Sequence, residues 1–154
     1  MATHSERLKE LSIDLPAVTT PVGAYVPALR HGDLLFLSGQ VPLLDGKVAY
    51  TGKVGDGRTL EDAIAAARIC ALNAVAVAAN AVGGIDHIAR VIKVVVYVAS
   101  ASGFTDQHKA ANGASNVLAD IFGEAGRHAR AAVGVAELPL NSTVEVDVTF
   151  AVNG

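Results

Sequence analysis

Tryptophan is absent from the 154-residue chain, cysteine and methionine occur once each, and four phenylalanines and three tyrosines supply the only aromatic carbocycles. That is too few for the stacking platforms of a single-strand nucleic-acid binder. Charge is also scarce: 12 lysines and arginines stand against 15 aspartates and glutamates, a net charge of −3. The cations are scattered, so no basic stripe exists to follow a nucleic-acid backbone or an anionic membrane surface. Lone Cys70 excludes an internal disulfide and a CxxC redox or zinc pair, a usage that suits a reducing cytosol. Set among alanines in a helical run, it reads as a packed, inert thiol. The first ten residues carry Glu6 and Glu10 and lack an apolar run of roughly 7–15 residues, so they read as part of the mature, cytoplasmic protein and not as a secretory signal. The longest apolar stretches, around residues 69–82 and 91–98, fall short of the roughly 20 residues that span a bilayer. The chain therefore reads as soluble.

What is present is apolar content: 51% of residues are hydrophobic. A chain near 150 residues buries about 70% of its unfolded surface around one core, so a single domain is expected and disorder is excluded. Residues 1–19 read as an N-terminal arm, with a short amphipathic helix over 5–13 and a connector punctuated by Pro16 and Pro21. Residues 20–154 form the domain proper.

Within it, Ala24–His31 and Leu34–Gln40 read as a hairpin turned at Gly32-Asp33. The unbroken run Leu34–Leu37 suggests a strand buried on both faces. Asp45-Gly46 marks a turn before a third strand at Lys47–Tyr50. Thr59 caps a helix whose first turn carries Glu61 and Asp62, and which runs to Val82 before stopping at Gly83-Gly84. Val91–Ala99 is β-branched and apolar except at Lys93, the pattern of a central strand. Phe104–Phe122 reads as a second helix despite Gly113, and Ala131–Leu138 with Val144–Val152 as a last pair of strands. In the second of these, Val144, Val146, Val148, Phe150 and Val152 share one face, while Glu145 and Asp147 share the other. The order β-β-β-α-β-α-β-β predicts an α+β sandwich, a mixed sheet with both helices packed on one face.

Familiar catalytic machinery is missing. The five histidines, at 4, 31, 87, 108 and 128, form no i,i+4 pair and no HExxH, so no metal site is expected. Ser38 lies in Leu37-Ser38-Gly39-Gln40, which is not a GxSxG elbow, and no local partner activates it. The glycines at 52–57 and 83–84 fit neither a phosphate loop nor a dinucleotide fingerprint and read as turns. Arg130, among Ala129, Ala131 and Ala132, has room to fork around a ligand carboxylate, although a solvated surface arginine satisfies the same local sequence. Glu145 shares a face with Asp147, and that face could simply meet water. If the last two strands form a hairpin centred near Asn141, Arg130 and Glu145 lie roughly 23 Å apart along it. A site using both would then need two chains.

Taken together, Val22-Gly23-Ala24-Tyr25-Val26, Leu34-Leu35-Phe36-Leu37-Ser38-Gly39-Gln40-Val41-Pro42, Ala129-Arg130-Ala131-Ala132-Val133, Glu137-Leu138-Pro139-Leu140 and Val144-Glu145-Val146-Asp147 resemble the Rid superfamily of reactive intermediate deaminases, also called YjgF-like or L-PSP-like. The resemblance spans about residues 20–152. It implies a chorismate-mutase-like fold and a homotrimer with ligand clefts between subunits. By the same resemblance Arg130 grips a substrate carboxylate and Glu145 positions or activates the attacking water. Tyr25 and Ser38 line the cleft, and Gly39 lets backbone approach the ligand. The activity implied is hydrolysis of enamines or imines such as 2-aminoacrylate to 2-keto acids and ammonia, with no metal or organic cofactor.

The chain departs from the family pattern at Ala132, where many members carry cysteine, and at Arg127-His128-Ala129, where they carry prolines. With the arm and the longer second helix, this resembles a divergent, longer subgroup whose cleft rim, at Phe104–Asn116 and His128, selects its own ligand. A non-catalytic, carboxylate-binding trimer is the alternative. An endoribonuclease ranks last, given the negative charge and few rings.

Overall fold

The computed structural model describes residues 1–18 and 23–154. Pro21 of the connector and Val22 of the first resembling segment lie outside the described residues. The arm's helix, α1 (His4–Glu10), is set by a capping box in which Thr3 and Glu6 satisfy each other's backbone amides. It docks through Arg7 Nε, which donates to the Asp120 carbonyl at 2.8 Å, and through the Ser5 amide, which donates to Asp86 at 2.9 Å. The Ser5 hydroxyl, followed by its amide, holds the Asp86 carboxyl below the usual aspartate value. A lowered pKa means that this stabilisation is complete above the unfolded value of about 3.9 and is lost as pH falls through the folded one. Asp86→Asn is accordingly expected to speed amide exchange over α1 at neutral pH, and the wild type to approach it only in strong acid.

A small ribbon, β3 (Leu43–Leu44) with β4 (Lys47–Val48), and a short pair, β5 (Lys53–Val54) with β6 (Gly57–Arg58), stand apart from the main sheet. The expected third strand thus belongs to the ribbon. The main sheet contains β1 (Ala28–His31), β2 (Leu34–Leu37), β7 (Ile88–Ala99), β8 (Ala129–Val135) and β9 (Val144–Val152), in the order β1-β2-β9-β7-β8. The fold is the α+β, chorismate-mutase-like arrangement, with α2 (Leu60–Val82) and α3 (Gln107–Phe122) over one face of a mixed sheet. Thr59 and Asp62 make a second capping box at the start of α2, and Gly83 ends it in the left-handed conformation at φ 84°. The second helix begins three residues later than expected.

By length and composition α2 is apolar enough to cross a membrane, which corrects the reading that no stretch is. Ten of its residues, mostly alanine, are buried, as in the core helix of a soluble domain. These small side chains bring α2 close to both α3 and β9. Cys70, in the same stripe, is fully buried, and burial pushes its thiol well up, with the Glu145 charge adding to the effect.

Two strand expectations are corrected. Leu34–Leu37 is not buried on both faces: Leu35 and Leu37 enter the core, while Leu34 and Phe36 point to the face that no helix covers. The last two strands do not form a hairpin, because β7 lies between them, parallel to β8 and antiparallel to β9. Hairpin loops take about 2–5 residues, whereas residues 136–143 are enough to step across the end of β7. There the Ala99 amide donates to the Thr143 carbonyl at 2.9 Å. Leu140 and Asn141, both at positive φ, turn the chain at this crossing. A strand as apolar as β7 is best satisfied with neighbours on both sides.

Candidate functional site

Strand register places the two candidate reacting groups. Arg130 pairs with Val94 and Glu145 with Tyr97. Val94 is fully buried under the helices, whereas Tyr97 faces the uncovered side, so Arg130 and Glu145 project from opposite faces of the sheet. Two strand spacings and three residues separate their Cα atoms by roughly 14 Å. This replaces the hairpin estimate, and within one chain the two side chains still do not meet.

The chain leaves β2 through Ser38-Gly39-Gln40 and rejoins the sheet by two hydrogen bonds between Gln40 and Val146, at 2.8 and 2.9 Å. That bridge sets Gly39 against Glu145. A Cβ on Gly39 would stand 3.0 Å from the Glu145 carboxyl carbon and closer still to Oε2. The missing side chain at Gly39 therefore makes room for the Glu145 carboxylate, a function beyond the backbone approach expected of it. Glu145 is half-buried; burial first, and the Asp147 charge second, raise its pKa above the ordinary glutamate value. Burial raises Asp147 likewise.

Tyr25, Ser38 and Gly39 line one cavity of about 720 Å³, walled by Val18 of the arm and by Ile69 and Asn73 of α2. Asn73 donates to the Val41 and Leu43 carbonyls at 3.2 and 3.1 Å, which holds the loop forming the cavity's wall. The Ser38 hydroxyl donates to the Val26 carbonyl at 2.7 Å and is an anchored group, not an activated nucleophile. Tyr25 is 57% exposed, so it is no buried strand tyrosine. Its ring lies over Gly23, at φ 151°, where a Cβ would come within 3.1 Å of it.

Arg130 stands apart from that cavity, at the sheet edge beneath α3. Its Nη1 donates to Asn112 Oδ1 at 2.8 Å and to Ser115 Oγ at 3.2 Å, and its Nη2 to the His108 carbonyl at 3.1 Å. Among the described residues no carboxylate pairs with it. Asn112 and Ser115, three residues apart on one face of an alanine-rich helix, give side chains to this contact and are legible in the sequence as part of the expected rim, whereas His108 gives only its backbone carbonyl, which no residue type signals.

The family described as "YjgF/chorismate_mutase-like, putative endoribonuclease" matches residues 5–152, which takes in most of the arm. The chain belongs to this family, the YjgF/L-PSP or Rid superfamily. It is 44% identical to Protein TCP17 of Trypanosoma cruzi, over 95% of this chain and 92% of that one. The solved structure of Atu1372 from Agrobacterium tumefaciens, a protein of unknown function, matches with a TM-score of 0.89 at 44% identity, covering 99% of this chain and 93% of that one. A "putative endoribonuclease" from Shewanella oneidensis matches at 0.93 and 34% identity, covering 98% and 100%. Both structures cover nearly the whole of this Rid chain.

Proposed function

We propose that this Rid protein hydrolyses enamine or imine intermediates carrying a carboxylate, of the 2-aminoacrylate type, to 2-keto acids and ammonia, at sites between the subunits of a homotrimer. The observation that carries this reading is Arg130: a guanidinium preset by neutral partners and left without a carboxylate of its own. Glu145 and Gly39 supply the other half of the site from the opposite face. That face exposes Leu29, Leu34, Phe36 and Val133, an apolar surface suited to a second and third copy of the chain. In such an assembly one subunit's Arg130 meets the next subunit's Glu145.

The reaction asks little more of the protein. After tautomerisation of the enamine, the imine carbon is already electrophilic. Arg130 holds the carboxylate and so fixes that carbon; Glu145, desolvated and therefore a stronger base than a free glutamate, takes a proton from the attacking water. As water adds to carbon, Glu145 passes the proton it took to the imine nitrogen, giving the carbinolamine; the same carboxylate then carries the hydroxyl proton to the amine, the C–N bond breaks, and ammonia leaves the ketone. Neither the −3 net charge nor the two carboxylates on the open face favours an RNA backbone.

The test couples a serine dehydratase, which releases 2-aminoacrylate, to this protein and follows imine loss, with sedimentation analysis of the assembly. Wild type is expected to accelerate loss and Glu145→Gln to slow it by about 10²-fold or more. Ketone binding without acceleration would favour the non-catalytic trimer. The acid limb of the wild-type profile should lie above the ordinary glutamate pKa of about 4.3, because the base must be ionised. The same raised pKa has a stability cost: relative to the unfolded chain, its contribution is present below the unfolded value and lost as pH rises through the folded one. Glu145→Gln should therefore raise the melting temperature at pH 7.5, by about 2 °C, and lose that gain near pH 4.

A further inference from the structure

Two of Arg130's three nitrogens are already committed to α3, and the pattern of commitment is specific. Both contacts on Nη1 and one on Nη2 come from Asn112, Ser115 and the His108 carbonyl. Nε makes no hydrogen bond among the described residues, and it lies with Nη2 along one edge of the guanidinium plane, the edge that receives a carboxylate side-on.

Ser115 can serve this arrangement because of His128. The His128 Nδ1 lies 2.7 Å from the Gly126 carbonyl, which only accepts, so Nδ1 carries the proton. In the neutral ring Nε2 is then an acceptor, and it lies 2.9 Å from Ser115 Oγ. The Ser115 hydroxyl therefore donates to His128 and turns its lone pairs toward Arg130 Nη1. Proton direction is set along the whole chain, from Arg130 through Ser115 and His128 to the backbone of Gly126. The same Ser–His contact is what a nucleophile and its base would make. Ser115, however, sits mid-helix with its oxygen already accepting from Arg130.

We infer that Ser115, Asn112 and His128 are positioning residues for the carboxylate fork, acting through Arg130: they fill its far edge and hold its near edge open toward the ligand. This rests on the reading of Arg130 as the carboxylate site. His128 stands where the resemblance leads one to expect proline, so this support is not one that the family pattern supplies. It also explains how an exposed arginine on an edge strand keeps one geometry without an acidic partner among the described residues, since immobilising a free guanidinium otherwise costs side-chain entropy at each binding event.

The experiment measures dissociation constants for 2-oxobutyrate by ligand-observed NMR at millimolar concentration, with 2-butanone as the probe lacking a carboxylate, on variants whose assembly and melting match wild type. Arg130→Ala is expected to weaken 2-oxobutyrate by about 100-fold and leave 2-butanone unchanged. Ser115→Ala and His128→Phe are expected to weaken it about fivefold to tenfold, with Ser115→Thr restoring it. On the Arg130→Ala background neither should have any further effect. If Arg130→Ala binds like wild type, the carboxylate reading itself fails. If Arg130→Ala weakens binding but Ser115→Ala does not, or weakens it equally with and without Arg130, only the positioning inference is overturned.

Discussion

Assemblies built wholly from Arg130→Ala chains, and assemblies built wholly from Glu145→Gln chains, are each expected to lose imine hydrolysis, while assemblies formed from an equal mixture of the two recover about one quarter of the wild-type rate. The fraction follows from geometry. Arg130 and Glu145 project from opposite faces of one sheet, so a site using both takes them from different subunits. In a randomly mixed ring, a site is intact when its arginine comes from a Glu145→Gln chain and its glutamate from an Arg130→Ala chain. Each condition holds half the time. If both residues served one site within one chain, every chain in the mixture would be defective and no activity would return. The readout is the coupled dehydratase assay after denaturation and refolding of the mixture, with each single variant refolded alone as the baseline. Zero recovery, in a mixture shown to have exchanged subunits, would end the inter-subunit reading.

Gly113→Val is expected to be the most damaging single substitution in the interior, costing about 3 kcal/mol or more and lowering the melting temperature by about 10 °C. Gly113 lies in the middle of α3, where glycine ordinarily weakens a helix by about 1 kcal/mol relative to alanine. Propensity alone would therefore have Gly113→Ala stabilise the protein. The packing says otherwise: a Cβ at this position would stand 2.8 Å from the Ile64 carbonyl carbon of α2, and nearer still to its oxygen. Backbone cannot move aside as a flexible side chain can, so the two helices would have to part, and α2 carries the core with it. Gly113→Ala should thus destabilise in spite of its helix propensity, and Gly113→Val should do so more strongly. Thermal unfolding followed by circular dichroism decides the sign; a stabilised Gly113→Ala would show that the helices do not approach this closely.

That glycine shows where reading along the chain stops. Gly113 is visible in the sequence as an interruption, yet only the approach of Ile64, some fifty positions earlier, makes it a requirement. Gly39 behaves in the same way, since its small size answers to Glu145, brought beside it by the Gln40–Val146 bridge. His128 stands out in the sequence only as a departure from proline; its contact with Ser115 depends on α3 lying over β8.

The amino-acid sequence by itself determined the local elements: Thr59 and Gly83 as the ends of α2, the unbroken apolar run of β7, and the alternation that turns Glu145 away from the core. These rest on short-range physics, namely capping, β-branched side chains and the two-residue period of a strand, and so are written in neighbouring residues. It also contained enough of the family's segments to identify the superfamily. The tertiary structure decided strand order and the faces on which side chains meet. Whether residues 136–143 turn back as a hairpin or step across β7 depends on the competition among strands for the central position, which no local pattern encodes. The faces of Arg130 and Glu145 follow from that choice, and with them the separation of one chain's two candidate reacting groups.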